Sequence, residues 1–149
     1  MQNRKNLLHR ILAATDGSEG AGRAVEVAAR LAADFDLDLR ILHVMDGDDK
    51  VLTDFSREEG ISRGDACTAV ANGILINARE RAQKMGAKKI SLELRQGYSA
   101  EEILAEARAM GADAIFAGRR GRGRLAELLL GSVAQKLVSL APCMVAVVP

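Results

Sequence analysis

Three spaced glycines around a basic loop carry the clearest chemical content of this sequence. Gly118-Arg119-Arg120-Gly121 is followed, after nine residues, by Gly131-Ser132. The run leaves a short apolar stretch, Ala112 to Ala117, that reads as a buried strand, and enters a helical run, Val133 to Leu140. Glycines allow the backbone to approach a phosphate or to take φ > 0. The first N–H groups of a helix and the positive end of its dipole favour a negative group. The pattern therefore describes an anion site. Ser132, with Gln135 three residues on, predicts a capping box, and the same hydroxyl could instead meet a phosphate oxygen. Arg119, Arg120, Arg122 and Arg124 form either a solvated loop or one or two phosphate contacts, with Arg120 the first choice.

The elements that must hold this loop alternate as β-α-β-α-β-α-β-α-β. Arg10 to Ala14 predicts a strand buried on both faces. Asp16-Gly17-Ser18 makes the turn, with Ser18 an N-cap. A helix over Glu19 to Ala33 places Ala21, Ala24, Val25, Ala28, Leu31 and Ala32 on one face. Strand two covers Asp38 to Val44. Met45 to Asp65 holds no clean period and reads as an excursion, feeding a helix from Asp65 to Met85 that Gly86 stops. Lys89 to Arg95 alternates as a strand near a sheet edge does. Ser99-Ala-Glu-Glu102 predicts a second capping box and a helix ending at Gly111. Strand four covers Asp113 to Ala117, and after Pro142 strand five covers Cys143 to Val148. Strands alternating with helices imply one α/β domain over 1–149, a doubly wound parallel sheet with helices on both faces.

The glycine spacing resembles the nucleotide-binding signature of the universal stress protein family, G-x2-G-x9-G-[S/T]. The likeness extends to Ile11-Leu-Ala-Ala-Thr-Asp-Gly-Ser18, to Leu42-His43-Val44 and to Ala141-Pro142 through Val148, so it covers nearly the whole chain. It implies five strands in the order 3-2-1-4-5. In such a sheet a ligand lies beyond the carboxyl ends of the strands where the order reverses, here between strands one and four. The loops meeting there are Ala14-Thr15-Asp16-Gly17 and Gly118 to Arg124. The resemblance implies ATP, with or without Mg2+, as the ligand. Asp16 would contact it from strand one, the Val44 backbone would read the adenine edge, and Ala117 and Gly118 would line the ribose. Arg120, Gly121, Gly131, Ser132 and Val133 would surround the phosphates. The bland readings stay open beside these: Asp16 as a turn residue, Gly118 and Gly121 as turn glycines, Ser132 as a cap. Arg119 departs from the family, which favours serine, threonine or histidine there, and Ala14 and Ala117 are smaller than is common.

Composition narrows the partners. Apolar residues make up 48% and aromatics 3%, so the core must be aliphatic. A net charge of +1 argues against bulk nucleic-acid binding. Two cysteines, Cys67 and Cys143, suit a reducing compartment rather than a disulfide framework. No secretory signal and no membrane-length apolar run are visible, so a cytoplasmic location is expected. His9 and His43 have no partners at catalytic or metal-binding spacing, and no P-loop lysine follows the glycines. A binder with at most slow hydrolysis is expected. The alternatives are a ligand-free dimeric module and, further off, an adenine-nucleotide-using enzyme of the wider α/β group. Met144 to Val148 is wholly apolar and belongs at a sheet edge that nothing downstream covers, which predicts a homodimer through this strand.

Overall fold

Ile11, Leu12 and Ala13 are all fully buried, so successive side chains, which point to opposite faces of a strand, both need cover. A computed structural model describes residues 7–46, 63–120 and 129–149. Gly121, Arg122, Arg124 and most of the Met45 to Asp65 excursion lie outside them. The strand Arg10–Ala14 (β1) is central in a five-stranded sheet. Beside it run Asp38–Met45 (β2) and then Ile90–Gln96 (β3) on one side. Ala114–Gly118 (β4) and then Met144–Val148 (β5) lie on the other. All four pairings are parallel, in the order β3-β2-β1-β4-β5. The order reverses at β1 and β4, as expected.

Two cores flank the sheet. On one face Ile11, Ala13, Ile41 and Phe116 meet the helices Glu19–Phe35 (α1) and Arg63–Lys84 (α2), through Val25, Ala28 and Ala29 of the first and Leu75, Ala78 and Ala82 of the second. On the other face Leu12, Leu42 and Ile115 meet Ser99–Met110 (α3) and Ser132–Leu140 (α4), through Ile103, Leu104, Ala107 and Leu137. Full burial of a side chain such as Leu12 contributes about 1.5–3 kcal/mol. The alanine-rich face of α1 lets that helix settle directly on β1 and β4.

Helix ends follow the sequence except at the end of α1 and at the two capping boxes. Ser18 caps α1, its Oγ accepting the Ala21 N–H at 3.3 Å. Gly86 and Gly111 take positive φ after α2 and α3. Asp36 does the same after α1 at φ 55, a conformation that Asp tolerates better than most residues; this extends the helix to Phe35, past the expected Ala33. Both predicted capping boxes are wrong. Helix α3 starts from Tyr98, with Ser99 already helical and no side-chain cap. Glu102 gives its carboxylate to Arg95 Nε at 2.7 Å, since a guanidinium is a stronger partner than a backbone N–H. Helix α4 starts from Gly131, not Ser132, again without a side-chain cap. The Gln135 side chain donates to the Leu130 carbonyl at 3.2 Å instead of reaching the cap N–H.

Candidate functional site

The carboxyl ends of β1 and β4 diverge into two loops that are built differently. After β1 the turn is held by its own side chains. Thr15 Oγ1 accepts the Gly17 N–H at 3.2 Å, and Asp16 Oδ1 accepts the Ser18 N–H at 2.9 Å. Gly17 stands at φ 83, in the left-handed region. The Thr15 carbonyl meets Nδ1 of the buried His43 at 2.8 Å. A carbonyl can only accept, so Nδ1 carries the proton, and His43 braces the end of β1 from β2. Sequence spacing points to a structural rather than a metal-binding His43, and the brace itself depends on β1 and β2 pairing in register.

After β4 the backbone itself is stitched. The Arg119 N–H donates to the Val148 carbonyl at 2.7 Å, and the Arg119 carbonyl accepts the Gly131 N–H at 2.8 Å. Gly118 is needed for a packing reason. A β-carbon there would lie 3.0 Å from the backbone of both Gly20 and Ala21, and 3.3 Å from the Arg120 carbonyl. The start of α1 therefore rests against the end of β4.

Between these loops lies a cavity of about 260 Å³. From β1 and the turn after it come Ala14, Thr15 and Asp16, from β2 Val44, and from β4 and the loop after it Ala117, Gly118 and Arg120. Gly131, Ser132 and Val133 complete it from α4. The structure thus brings together every position picked out from the sequence except Gly121, which lies outside the described residues. Also lining it are Leu42, Ala21, Ala134 and Arg119, with Ser99 and Ile103 from α3. Sequence reasoning missed this last pair, although a helix start after β3 faces the same end of the sheet.

The cavity is chemically two-ended. Leu42, Val44, Ile103 and Ala117 make one wall apolar. At the other end α4 presents the N–H groups of its first turn, which no helix can satisfy internally. Ser132, as the first helical residue, has no capping bond to its side chain. Arg119 and Arg120 add positive charge there, and Asp16 is the acidic residue of the lining. Among the described residues no group of three or more His, Cys, Asp and Glu side chains could hold a metal ion, nor is any helix long and apolar enough to cross a membrane. An apolar slot ending in a helix start and two arginine residues suits a flat ring carrying an anionic tail.

Comparison with known proteins points to one family. The model of the universal stress protein family matches residues 8–149. A universal stress protein of Thermus aquaticus is 35% identical over 93% of this chain and 96% of its own length. One from Methanocaldococcus jannaschii is 30% identical over 99% and 86%. Among solved structures, a universal stress protein in complex with cAMP is 26% identical with a TM-score of 0.72, covering 95% of this chain and 96% of that one.

Proposed function

The chain belongs to the universal stress protein family, and on that premise we propose that it is an adenine-nucleotide-binding module whose ligand is ATP, with or without Mg2+. The observation that carries this reading is the two-ended cavity at the strand-order reversal, apolar beside Val44 and Ala117 and rich in donors at Ser132, Val133 and Arg119. The adenine ring would lie against the apolar wall and the phosphates at the start of α4. The related protein solved with cAMP supports an adenine nucleotide as the class of ligand. Asp16 would face the ribose or a metal, while its Oδ1 serves the turn in either case.

The reading includes turnover that is slow at most. Asp16 is the acidic group lining the cavity, and phosphoryl transfer needs a positioned base or water besides a metal-holding acid. It also includes a homodimer through β5, and a cytoplasmic location in keeping with Cys67 and Cys143 as free thiols. Mass spectrometry of protein denatured directly from purification, with ATP titrated calorimetrically into nucleotide-free protein, tests the ligand. Co-purified ATP or saturable ATP binding is expected. Co-purified FAD, or no ATP binding at millimolar concentration, overturns the reading.

A further inference from the structure

Among the described residues that line the cavity, Arg119 carries a buried side-chain nitrogen without a hydrogen-bond partner. Its backbone is fixed at both polar atoms, to Val148 on one side and to Gly131 on the other. Its Nε is buried, yet among the described residues it meets no acceptor. A buried, charged N–H without a partner is costly, and such groups in native proteins call for an explanation. Among the described residues, partly buried arginines elsewhere in the fold are paired. Arg95 bonds Glu102 and Glu106, Arg40 bonds Glu106, and Arg81 bonds Glu26. Arg119 lines the cavity beside Gly131 and Ser132, where the unsatisfied N–H groups of α4 already favour an anion.

We propose that Arg119 is the residue that makes this site select phosphorylated ligands, its Nε and a terminal nitrogen forming a forked pair of hydrogen bonds to a phosphate group. This rests on the adenine-nucleotide reading above. It assigns to Arg119 the role that the sequence alone gave first to Arg120, which is not without a partner in the structure. An arginine fork matches two phosphate oxygens at once, which a lysine point charge cannot do. Because the Arg119 backbone is pinned to β5 and α4, little ordering of the main chain is left to be done on binding. Phosphate oxygens would supply the acceptors that the protein withholds. An uncharged nucleoside offers none of them, so the contribution of Arg119 must vanish with it.

The experiment compares wild type, Arg119→Gln and Arg119→Lys by calorimetry with ATP and with adenosine, together with the melting temperature of each nucleotide-free protein. In Arg119→Gln the affinity for ATP is expected to fall about 10- to 100-fold, the range for a hydrogen bond to a charged group, while adenosine binding stays unchanged. The melting temperature should hold or rise, because an unpartnered charged nitrogen contributes nothing to the empty fold. Arg119→Lys keeps the charge but lacks a nitrogen at the Nε position, and should recover only part of the ATP affinity. Arg119→Gln with unchanged ATP affinity would overturn this role while leaving the nucleotide reading intact. A lowered melting temperature with equal losses for ATP and adenosine would make Arg119 structural and overturn it too. Full recovery in Arg119→Lys would assign the effect to charge alone and overturn the forked pairing. If wild type binds neither ligand, the nucleotide reading itself fails and this inference falls with it.

Discussion

The Gly131 N–H donates to the Arg119 carbonyl at 2.8 Å, closing the loop between β4 and α4 at its base. The bond settles which amides face the cavity. Gly131, as the N-cap, has its own N–H turned to Arg119, and its carbonyl receives the Gln135 N–H at 3.0 Å. The N–H groups left without a helical partner are those of Ser132, Val133 and Ala134. Under the proposed reading Gly131 would serve an anion by shape, and the residues after it would serve by donation.

Gly131→Asp should remove ATP binding. The substitution adds a β-carbon and a negative charge at the positive end of α4, where a helix start favours anions. Asp is itself a good N-cap, so the fold should survive, as checked by circular dichroism. Calorimetric affinity for ATP should fall at least about tenfold, a loss of roughly 1.4 kcal/mol. Unchanged affinity in the folded variant would place the phosphates elsewhere.

Gly118→Ala and Gly22→Ala should differ in cost although both add one methyl group. At Gly118 the new carbon meets backbone at 3.0 Å on two atoms, and backbone cannot rotate away. Denaturant unfolding should show a loss of about 1–3 kcal/mol, the usual range for overpacking. At Gly22 the new carbon overlaps the Arg81 guanidinium, the far end of a flexible chain, which can swing out at the expense of its 2.9 Å bond to Glu26. That costs about 1 kcal/mol or less, as for other partly exposed pairs. Equal losses would mean that α1 does not rest on β4 as described.

Acid should destabilise the fold through Glu106 and Asp113. Burial alone would raise the Glu106 pKa, but hydrogen bonds from Arg95 at 2.6 Å and Arg40 at 2.5 Å outweigh it and hold the carboxyl below its usual range. The backbone N–H groups of Arg10 and His9 do the same for Asp113. A carboxyl with a depressed folded pKa adds stability above its unfolded pKa, about 4.3 for Glu and 3.9 for Asp, and loses it as pH falls through the folded value. Unfolding free energy should therefore be level through neutral pH and drop below about pH 4. Glu106→Gln should be less stable at neutral pH and show a shallower acid drop. A drop of unchanged depth would exclude Glu106 from this linkage.

The architecture was legible because its signals are local. Apolar runs such as Ile11 to Ala13, closed by a turn signal, read as strands covered on both faces, and Gly86 and Gly111 mark where helices stop. Strand ends shifted by a residue or so, as at β3 and β4, where ladder pairing rather than hydropathy decides. The capping boxes failed for a tertiary reason. Glu102 is claimed by Arg95 on β3, and Gly131 by Arg119. Neither partner lies within reach of a four-residue motif. His43 bracing Thr15 and Arg119 with its orphaned Nε were invisible for the same reason, since each needs two strands brought side by side.

ATP turnover should be far below the ~1–100 s⁻¹ typical of kinases. Asp16 could steady a metal, yet its Oδ1 already accepts the Ser18 N–H, and His43, the buried histidine nearest the turn, has its Nδ1 proton on the Thr15 carbonyl. A phosphate-release assay should detect well under ~1 turnover per second. Several turnovers per second, abolished by Asp16→Ala, would make the protein an ATPase.

Assembly is the last consequence. Strand β5 pairs with β4 on one side and forms the edge of the sheet on the other. Met144 at its start is 59% exposed, and Val138 and Leu140 of α4 are exposed as well. An apolar edge with open backbone groups invites a further strand, and a second copy of β5 laid antiparallel about a two-fold axis satisfies both surfaces with one isologous contact. Val145 and Val147 would then lie near the axis. Val147→Lys would set two like charges close together across it, so the variant should run as a monomer or aggregate in light scattering, with nucleotide affinity retained in the monomer. A wild-type protein that stays monomeric at micromolar concentration, with and without ATP, would leave the β5 edge unpaired and end the dimer proposal.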